Sequence, residues 1–93
     1  MVPAKLVTII CGVELEERLQ HDLKARGLGY TVTHANGRGV HGPRTFGMVD
    51  GANIRTEILV TPAELPKVIE LVKGYQGDAV TAYMQDVAAF PRS

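Results

Sequence analysis

The order in which strand-like and helix-like patterns follow one another is the feature of this sequence that most limits its fold. Residues 4–11 are rich in β-branched side chains and lie between Pro3 and Gly12, which is typical of a buried strand. In residues 14–26, leucines recur every four positions, acidic residues come first and basic residues last, as in a helix whose charges complement its dipole. Gly27 then provides a stop signal, so the chain begins with a strand followed by a helix.

Two further strand candidates flank a glycine-rich stretch. Residues 30–35 and 52–60 have strand-like composition, and several glycines and a proline punctuate the sequence between them. We expect these strands to pair antiparallel across a long loop, because that is the simpler connection. A structureless loop of this length inside a compact domain is usually functional or disordered.

A second helix is predicted directly after the third strand candidate and continues to about Lys73. Thr61 is suited to cap this helix, Pro62 to occupy its first position, and Glu64 to reach back to the cap amide. Apolar residues then recur at helical spacing and form a stripe for packing on a sheet. Pro66 is discordant, because it lacks a backbone donor near the end of the first turn and is expected to distort the helix there.

Residues 79–87 form the last strand candidate, after a turn at Gly77 and Asp78. The complete order is therefore β-α-β-β-α-β. It predicts an α+β, ferredoxin-like fold, in which two helices cover one face of a four-stranded antiparallel sheet. The other face is left uncovered, which is a reason to expect self-association. We expect residues 1–93 to form a single domain.

Charge balance and composition exclude several functional classes. Ten Lys/Arg balance ten Asp/Glu, with a pI of about 6.8, so a nucleic-acid binder is not expected. No apolar run approaches the ~20 residues of a membrane span, and residues 1–11 lack the core of a secretory signal, so we expect a cytoplasmic protein. Cys11 is the only cysteine, and we expect it to be buried. The three scattered histidines make no metal-ligand cluster.

The glycine-rich stretch carries groups that suit an anion. Gly37 and Gly39 permit close backbone approach, and the amides of such a turn can form an anion-binding concavity. Arg38, His41 and Arg44 add side-chain donors, of which the histidine is pH-sensitive. A flexible hairpin loop with solvated arginines is the alternative, because no helix follows this Gly-x-Gly turn as one does in dinucleotide-binding loops.

Arg55 and Glu57 alternate along the returning strand, so both can point away from the face that carries Ile54 and Ile58. They either form an ion pair at the surface, or Arg55 meets a phosphate while Glu57 orients a ribose or a partner side chain. The sequence has no evident combination of nucleophile, base and oxyanion site. That absence favours a sensor over an enzyme.

Four segments follow one another in order along this βαββαβ pattern. Gly-Tyr-Thr-Val-Thr at 29–33 precedes Gly-Arg-Gly at 37–39, Ala-Asn-Ile-Arg-Thr-Glu-Ile-Leu-Val occupies 52–60, and a turn occupies 74–80. In this order they resemble, respectively, the strand and start of the T-loop, the returning strand, and the B-loop of the PII family of signalling proteins. The resemblance covers nearly the whole chain.

The resemblance implies a homotrimer that binds adenine nucleotides in clefts between subunits, while a T-loop at about 37–51 reports the bound state to a partner. The B-loop-like turn spans about residues 74–79. By matching position, one subunit is expected to line the nucleotide site with Thr31, Gly37, Arg38, Gly39, Arg55 and Glu57. Gly77 and Asp78 are expected to approach from the neighbouring subunit.

The sequence differs from the nitrogen-regulatory members of the PII family at positions that bear on the expected ligand. The T-loop has no modifiable Tyr, and Ala79 and Val80 follow Gly77 and Asp78 where those members have Gly-Lys. The sequence is more similar to small PII-like proteins associated with carboxysomes and bicarbonate transport. That similarity implies ADP or AMP as the ligand, with cyclic AMP or ATP as further options, and bicarbonate held by Arg38, His41 or Arg44.

The function implied is that of a non-enzymatic regulator. Nucleotide occupancy is expected to order the T-loop and to change binding to a partner in inorganic-carbon uptake or fixation, such as a bicarbonate transporter or a carboxysome component. Two alternatives remain from other classes. One is a small nucleotide-hydrolysing enzyme that uses the same anion-binding groups, and the other is a trimeric interaction module without a ligand.

Overall fold

The fold is a four-stranded antiparallel sheet with two helices on one face, as the sequence predicts. It was obtained as a computed structural model that describes residues 1–38 and 51–91. The elements, in chain order, are β1 (Val2–Gly12), α1 (Glu16–Ala25), β2 (Thr31–Gly37), β3 (Gly51–Val60), α2 (Leu65–Lys73) and β4 (Thr81–Ala89).

The strand order in the sheet is β2-β3-β1-β4, and each neighbouring pair is antiparallel. The central strands β1 and β3 pair from Lys5 with Val60 to Gly12 with Asn53. Because β3 lies between β1 and β2, the connection through α1 must cross a strand, and α2 crosses β1 in the same way. Consequently β2 and β4 are the two edge strands, separated by both central strands.

Strand alternation directs one set of side chains toward the helices. Val7, Ile9 and Cys11 of β1 and Ile54 and Ile58 of β3 are buried in this layer, with the two β3 residues fully inaccessible. Full burial contributes roughly 1.5–3 kcal/mol for each large aliphatic side chain. The helices and the segments that leave them complete the core with Leu19, Leu23, Leu28, Val68, Leu71 and Tyr75.

The opposite face of the sheet has no helix over it within the described residues, and we call it the open face. The register places the even-numbered residues of β1 and the odd-numbered residues of the other three strands there. Leu59 is 56% exposed and Tyr83 is 41% exposed on this surface. Its larger apolar side chains are Leu6, Ile10, Leu59, Tyr83 and Val87.

The first helix begins later than predicted and ends at the predicted stop signal. A 3₁₀ turn, Val13–Leu15, leads from β1 into α1, which is a frequent way for a helix to start. At the other end, the N–H of Leu28 donates to the oxygen of Leu23 and the N–H of Gly27 to that of Lys24, both at 3.0 Å. Gly27 has a φ of 67°, so its lack of a Cβ makes this C-terminal cap possible.

The capping box of the second helix forms as predicted, but the regular helix begins after it. Both the N–H and the hydroxyl of Thr61 donate to the Glu64 carboxylate, at 3.0 and 3.1 Å, and the Glu64 N–H donates to the Thr61 hydroxyl oxygen at 3.3 Å. Because α2 starts at Leu65, Pro66 falls in its first turn, where a missing N–H costs no helical hydrogen bond. The predicted distortion at Pro66 therefore does not arise.

The last strand also begins later than predicted, at Thr81 rather than at residue 79. The N–H of Val80 donates to the oxygen of Asp78 at 2.8 Å, which keeps the chain in a turn for two more residues. The turn that precedes β4 is therefore longer than the sequence indicated.

The Thr61–Glu64 bonds make a testable contribution to stability. They hold the pKa of the Glu64 carboxyl below its ordinary value of 4.5. A depressed folded-state pKa adds stability above the unfolded-state value, and that stability is lost as the pH falls. We expect Glu64→Gln to lower the urea midpoint at about pH 7, and the difference from wild type to shrink at acidic pH, where the Glu64 carboxyl is protonated.

Glu70→Gln is the matched control for this prediction, because Glu70 is an exposed residue of the same helix. It should leave the urea midpoint nearly unchanged at both pH values. Equal losses in the two variants at neutral pH would contradict a specific role for the capping box.

Candidate functional site

The glycine-rich stretch and the turn before β4 lie at the same end of the sheet. Gly37 ends β2 and pairs with Gly51, which begins β3 with a φ of 91°. The turn of residues 74–80 leads into Thr81, which pairs with Ile10 near the end of β1. The predicted site residues Gly39, His41 and Arg44 lie outside the described residues.

One part of the candidate site, which we call the strand half, consists of residues on β2 and β3 and at the exit of β2. Thr31 lies opposite Glu57 in the sheet, and Arg55 lies one alternation farther toward the glycine-rich end of β3. All three belong to the open face. A cleft of about 360 Å³ adjoins Thr31 and Glu57. The strand half comprises Thr31, Gly37, Arg38, Arg55 and Glu57.

Arg55 and Glu57 contact one another in the chain, with 3.5 Å between the guanidinium Nη2 and the carboxylate Oε2. The predicted surface ion pair is therefore present. Both side chains are substantially exposed, and pairs of this kind contribute little to stability. A ligand anion can consequently compete for Arg55 at small cost, so the pair does not exclude the binding role.

The other part of the candidate site, which we call the turn half, is residues 74–80. Gly77 has a φ of 97°, a conformation that side-chain-bearing residues rarely adopt. The N–H of Asp78 donates to the oxygen of Tyr75 at 3.1 Å, and the N–H of Gln76 to that of Lys73 at 3.3 Å. These bonds hold the turn in a defined shape beside a cleft of about 550 Å³.

Arg18 of α1 fastens the turn half to the rest of the molecule. Its guanidinium contacts the Asp78 carboxylate at 3.3 Å and donates to the oxygen of Gly74 at 3.0 Å. The same group lies 4.2 Å from the centre of the Tyr75 ring, in cation–π geometry. The Tyr75 hydroxyl in turn donates to Asp22 at 2.7 Å. We call this set of contacts the Arg18 clamp.

The strand half and the turn half do not meet within one chain. The first belongs to edge strand β2 and its neighbour β3, and the second leads into the opposite edge strand, β4. Three strand spacings separate the two edges, which is about 14 Å. Within one chain, the exit of β2 and the turn before β4 are therefore well separated.

Cys11 is buried as predicted, with 1% of its surface exposed. Burial raises the pKa of its thiol to about 11, and the nearby carboxylates of Glu14, Asp78 and Glu16 contribute to that rise. The thiol therefore stays protonated near neutral pH and is a poor nucleophile. Among residues 1–38 and 51–91, no group of His, Cys, Asp and Glu is arranged to hold a metal ion, and no helix is long and apolar enough to cross a membrane.

A scan against protein-family models matches residues 4–90 to nitrogen regulatory protein P-II. The match spans almost the whole chain, from the first strand to the end of the last. This chain belongs to the P-II family.

Solved structures of P-II-like proteins have the same fold. A Thermus thermophilus protein that is assigned as PII-like is 40% identical, with a TM-score of 0.68, over 92% of this chain and 88% of its own. CPII from Thiomonas intermedia K12, bound to ADP and bicarbonate, is 22% identical, with a TM-score of 0.73, over 92% and 87%. CPII bound to ADP, AMP and bicarbonate is 23% identical, with a TM-score of 0.72, over 98% of both chains. Curated protein sequences gave no significant match.

The P-II motifs predicted the position of the turn half but not the residues that hold it. Arg18 and Asp22 are one helical turn apart on α1, which by itself indicates only a charged helix surface. Tyr75 is a single aromatic residue after a helix stop. Nothing in the local pattern indicates that these residues contact a turn more than fifty positions away, because the contact depends on how α1 packs across the sheet.

The Arg18 clamp predicts an unusual tyrosine titration in this P-II protein. Burial and the hydrogen bond to Asp22 raise the pKa of Tyr75 above its ordinary value of 10. The stability linked to the protonated phenol is present below about pH 10 and is lost as the pH rises through the folded-state pKa. We expect Asp22→Asn to lower the pKa of the last tyrosine to ionise, as followed by ultraviolet absorbance.

Tyr75→Phe should remove this last step from the absorbance titration altogether. Asp86→Asn is the control, because Asp86 pairs with Lys5 at the sheet rather than with the clamp. A titration curve that is unchanged in Asp22→Asn would contradict the assigned contact.

Proposed function

We propose that this protein is a homotrimeric sensor that binds an adenine nucleotide, ADP or AMP, in clefts between subunits. The strand half of one subunit and the turn half of the next form each site. The observation that carries this proposal is the position of the two halves at one end of the sheet but on opposite edges, so that each chain holds two incomplete sites.

The open face supports the trimer. It carries large apolar side chains from three of the strands and has no helix over it within the described residues. Leu59 and Tyr83 are exposed, and a small domain is stabilised when another copy of the chain covers such apolar surface. In the proposed trimer, burial of this face is expected to bring β2 of one subunit toward β4 of the next, as the shared site requires.

The residue chemistry of the two halves suits a nucleotide. Arg38 and Arg55 provide guanidinium groups for phosphate, and Glu57 provides acceptors for a ribose. Thr31 borders the cleft beside Glu57, where a base can lie against Leu6 and Leu59. Gly77 and Asp78 approach from the neighbouring subunit. The solved CPII complexes, which contain ADP, AMP and bicarbonate on the same fold, agree with this assignment.

Signalling proceeds through the loop that begins at Gly37 and ends at Gly51. The glycine pair closes this loop directly beside the strand half, so a ligand held by Arg38 acts on its root. Bicarbonate binds beside the nucleotide, held by loop amides and by Arg38, His41 or Arg44. Nucleotide and bicarbonate shift the loop between populations, and the shift is limited by their differential affinity for the two states.

We assign the regulated process to inorganic-carbon uptake or fixation in the cytoplasm. The partner would be a bicarbonate transporter or a carboxysome component that recognises the ordered loop. The missing T-loop tyrosine and the Ala79-Val80 sequence after Asp78 support this over nitrogen sensing. We propose that the protein acts without catalysis, and the burial and raised pKa of the Cys11 thiol, which make it a poor nucleophile, support this.

Calorimetric titration tests the ligand. We expect ADP and AMP to bind with dissociation constants well below about 1 mM, the equivalent of roughly −4 kcal/mol, and bicarbonate to tighten the binding of at least one of them. Arg38→Ala and Arg55→Ala should each weaken ADP binding by about tenfold, the effect of losing one charge-assisted contact.

Lys24→Ala is the matched control for these arginine variants, because Lys24 is an exposed cation on α1 that lies outside both halves. Absence of nucleotide binding in the wild type would refute the sensor and leave the ligand-free interaction module. Rapid phosphate release from ATP or ADP would instead support the nucleotide-hydrolysing enzyme.

Mixed trimers test the shared site. Chains carrying Arg38→Ala and Arg55→Ala have a defective strand half, and chains carrying Gly77→Val have a defective turn half. Random co-assembly of the two chains in equal amounts should restore about one quarter of the nucleotide sites, because that fraction of subunit contacts joins two intact halves. Each variant alone should form trimers by sedimentation and bind almost no ADP. A mixture that recovers no binding would place the whole site in one chain.

A further inference from the structure

The cleft beside the turn half has a distribution of charge that the T-loop motifs do not explain. It measures about 550 Å³ and lies between the end of α2, the turn and the start of β4. Val72, Val80 and Ala82 provide apolar wall, and the ionisable groups along its lining are Lys73, Tyr75 and Asp78. All of these residues are among those the structure describes.

The negative charge of this cleft is neutralised from outside it. Asp78 would repel a phosphate, but its Oδ2 atom is 3.3 Å from the Arg18 guanidinium. Arg18 belongs to α1 and is not part of the cleft lining. The ion pair therefore offsets the one carboxylate charge of the lining without using a cation that faces the cleft.

The carbonyl groups at the end of α2 are hydrogen-bonded, so they repel an anion less than free carbonyl groups would. A helix C-terminus normally presents unsatisfied carbonyl groups with partial negative charge. Here the oxygens of Leu71, Val72 and Lys73 accept the N–H groups of the following turn, and the oxygen of Gly74 accepts a hydrogen bond from Arg18. A positive guanidinium thus covers the carbonyl that directly follows the helix.

Lys73 is left as the unopposed charge of the cleft. It is exposed, ends α2, and has no hydrogen bond or ion pair through its side chain with any residue in the described ranges 1–38 and 51–91. Asp78 is paired with Arg18, and the carbonyl oxygens at the end of α2 accept hydrogen bonds. The Lys73 ammonium is therefore the dominant charge that an entering ligand meets. The cleft is therefore cationic on a chain of zero formal net charge.

We propose that Lys73 binds the terminal phosphate of the nucleoside diphosphate, and that Arg18 is a positioning residue that offsets the charge of Asp78 and keeps the turn in place. This inference rests on the nucleotide site proposed above and adds two residues to it. It also provides a phosphate contact on the side of the turn, in a chain whose turn sequence, Gly77 to Val80, contains no basic residue.

Calorimetry with adenosine, AMP and ADP tests Lys73. We expect Lys73→Gln to weaken ADP binding about tenfold while changing adenosine binding less than about twofold, because the contact is made to phosphate alone. Lys73→Arg should retain most of the affinity. Lys67→Gln removes a cation from the first turns of the same helix, about 9 Å along its axis from Lys73, and should bind all three ligands like wild type.

A purely structural role for Lys73, as a cation at the end of a helix, would lower the melting temperature of Lys73→Gln and leave the ratio of ADP to adenosine affinity unchanged. That result would overturn the assignment of Lys73. An unchanged affinity for all ligands would overturn it as well. If the wild type binds no nucleotide, the proposed function itself fails. If the wild type binds ADP and Lys73→Gln binds it equally well, only the Lys73 contact fails.

A double-mutant cycle tests Arg18. Arg18→Gln should weaken ADP binding more than adenosine binding, because it exposes the Asp78 carboxylate to the phosphate. Adding Asp78→Asn should restore at least half of the lost ADP affinity, since it removes the repelling charge. Failure of the second substitution to restore binding would mean that Arg18 acts only through the shape of the turn, and would overturn the charge-neutralising role.

Discussion

The pairing of β1 with β3 is the constraint on which the rest of this structure depends. It places two strands that are distant in sequence at the centre of the sheet and forces both helices to cross over a strand. The helices then lie on the same face, where Ile54 and Ile58 are fully buried beneath them. Within residues 1–38 and 51–91, the same pairing leaves the other face without a helix over it and makes β2 and β4 the edges.

This topology explains why the candidate site is divided. The chain brings the exit of β2 and the turn before β4 to one end of the sheet, but two central strands keep them apart. The site proposed above uses both, and for that reason it is assigned to an assembly of chains. In the proposed trimer, ligand binding and subunit contact both involve the root of the loop at Gly37 and Gly51, which suits a protein that reports occupancy.

The Arg18 clamp shows how one cation can offset the charge of a carboxylate and hold a turn at the same time. The guanidinium makes three contacts at once: it pairs with Asp78, donates to the oxygen of Gly74 and lies over the Tyr75 ring. Each contact is modest by itself, and Arg18 and Asp78 are both substantially exposed. Together they define the shape and charge of the turn, because one rigid planar group touches three of its residues.

The sequence by itself determined the order of elements, the buried aliphatic face and the two stretches that form the candidate site, because strand alternation, leucine spacing and glycine stops act over a few residues. It missed the 3₁₀ start of α1, the late start of α2 at Leu65 and of β4 at Thr81, since such boundaries depend on individual hydrogen bonds. Only the tertiary structure decided that Arg18 and Asp22 hold the turn at 74–80, and that the two halves of the site lie on opposite edges. Those contacts join residues far apart in the chain, and their geometry follows from how the helices cross the sheet.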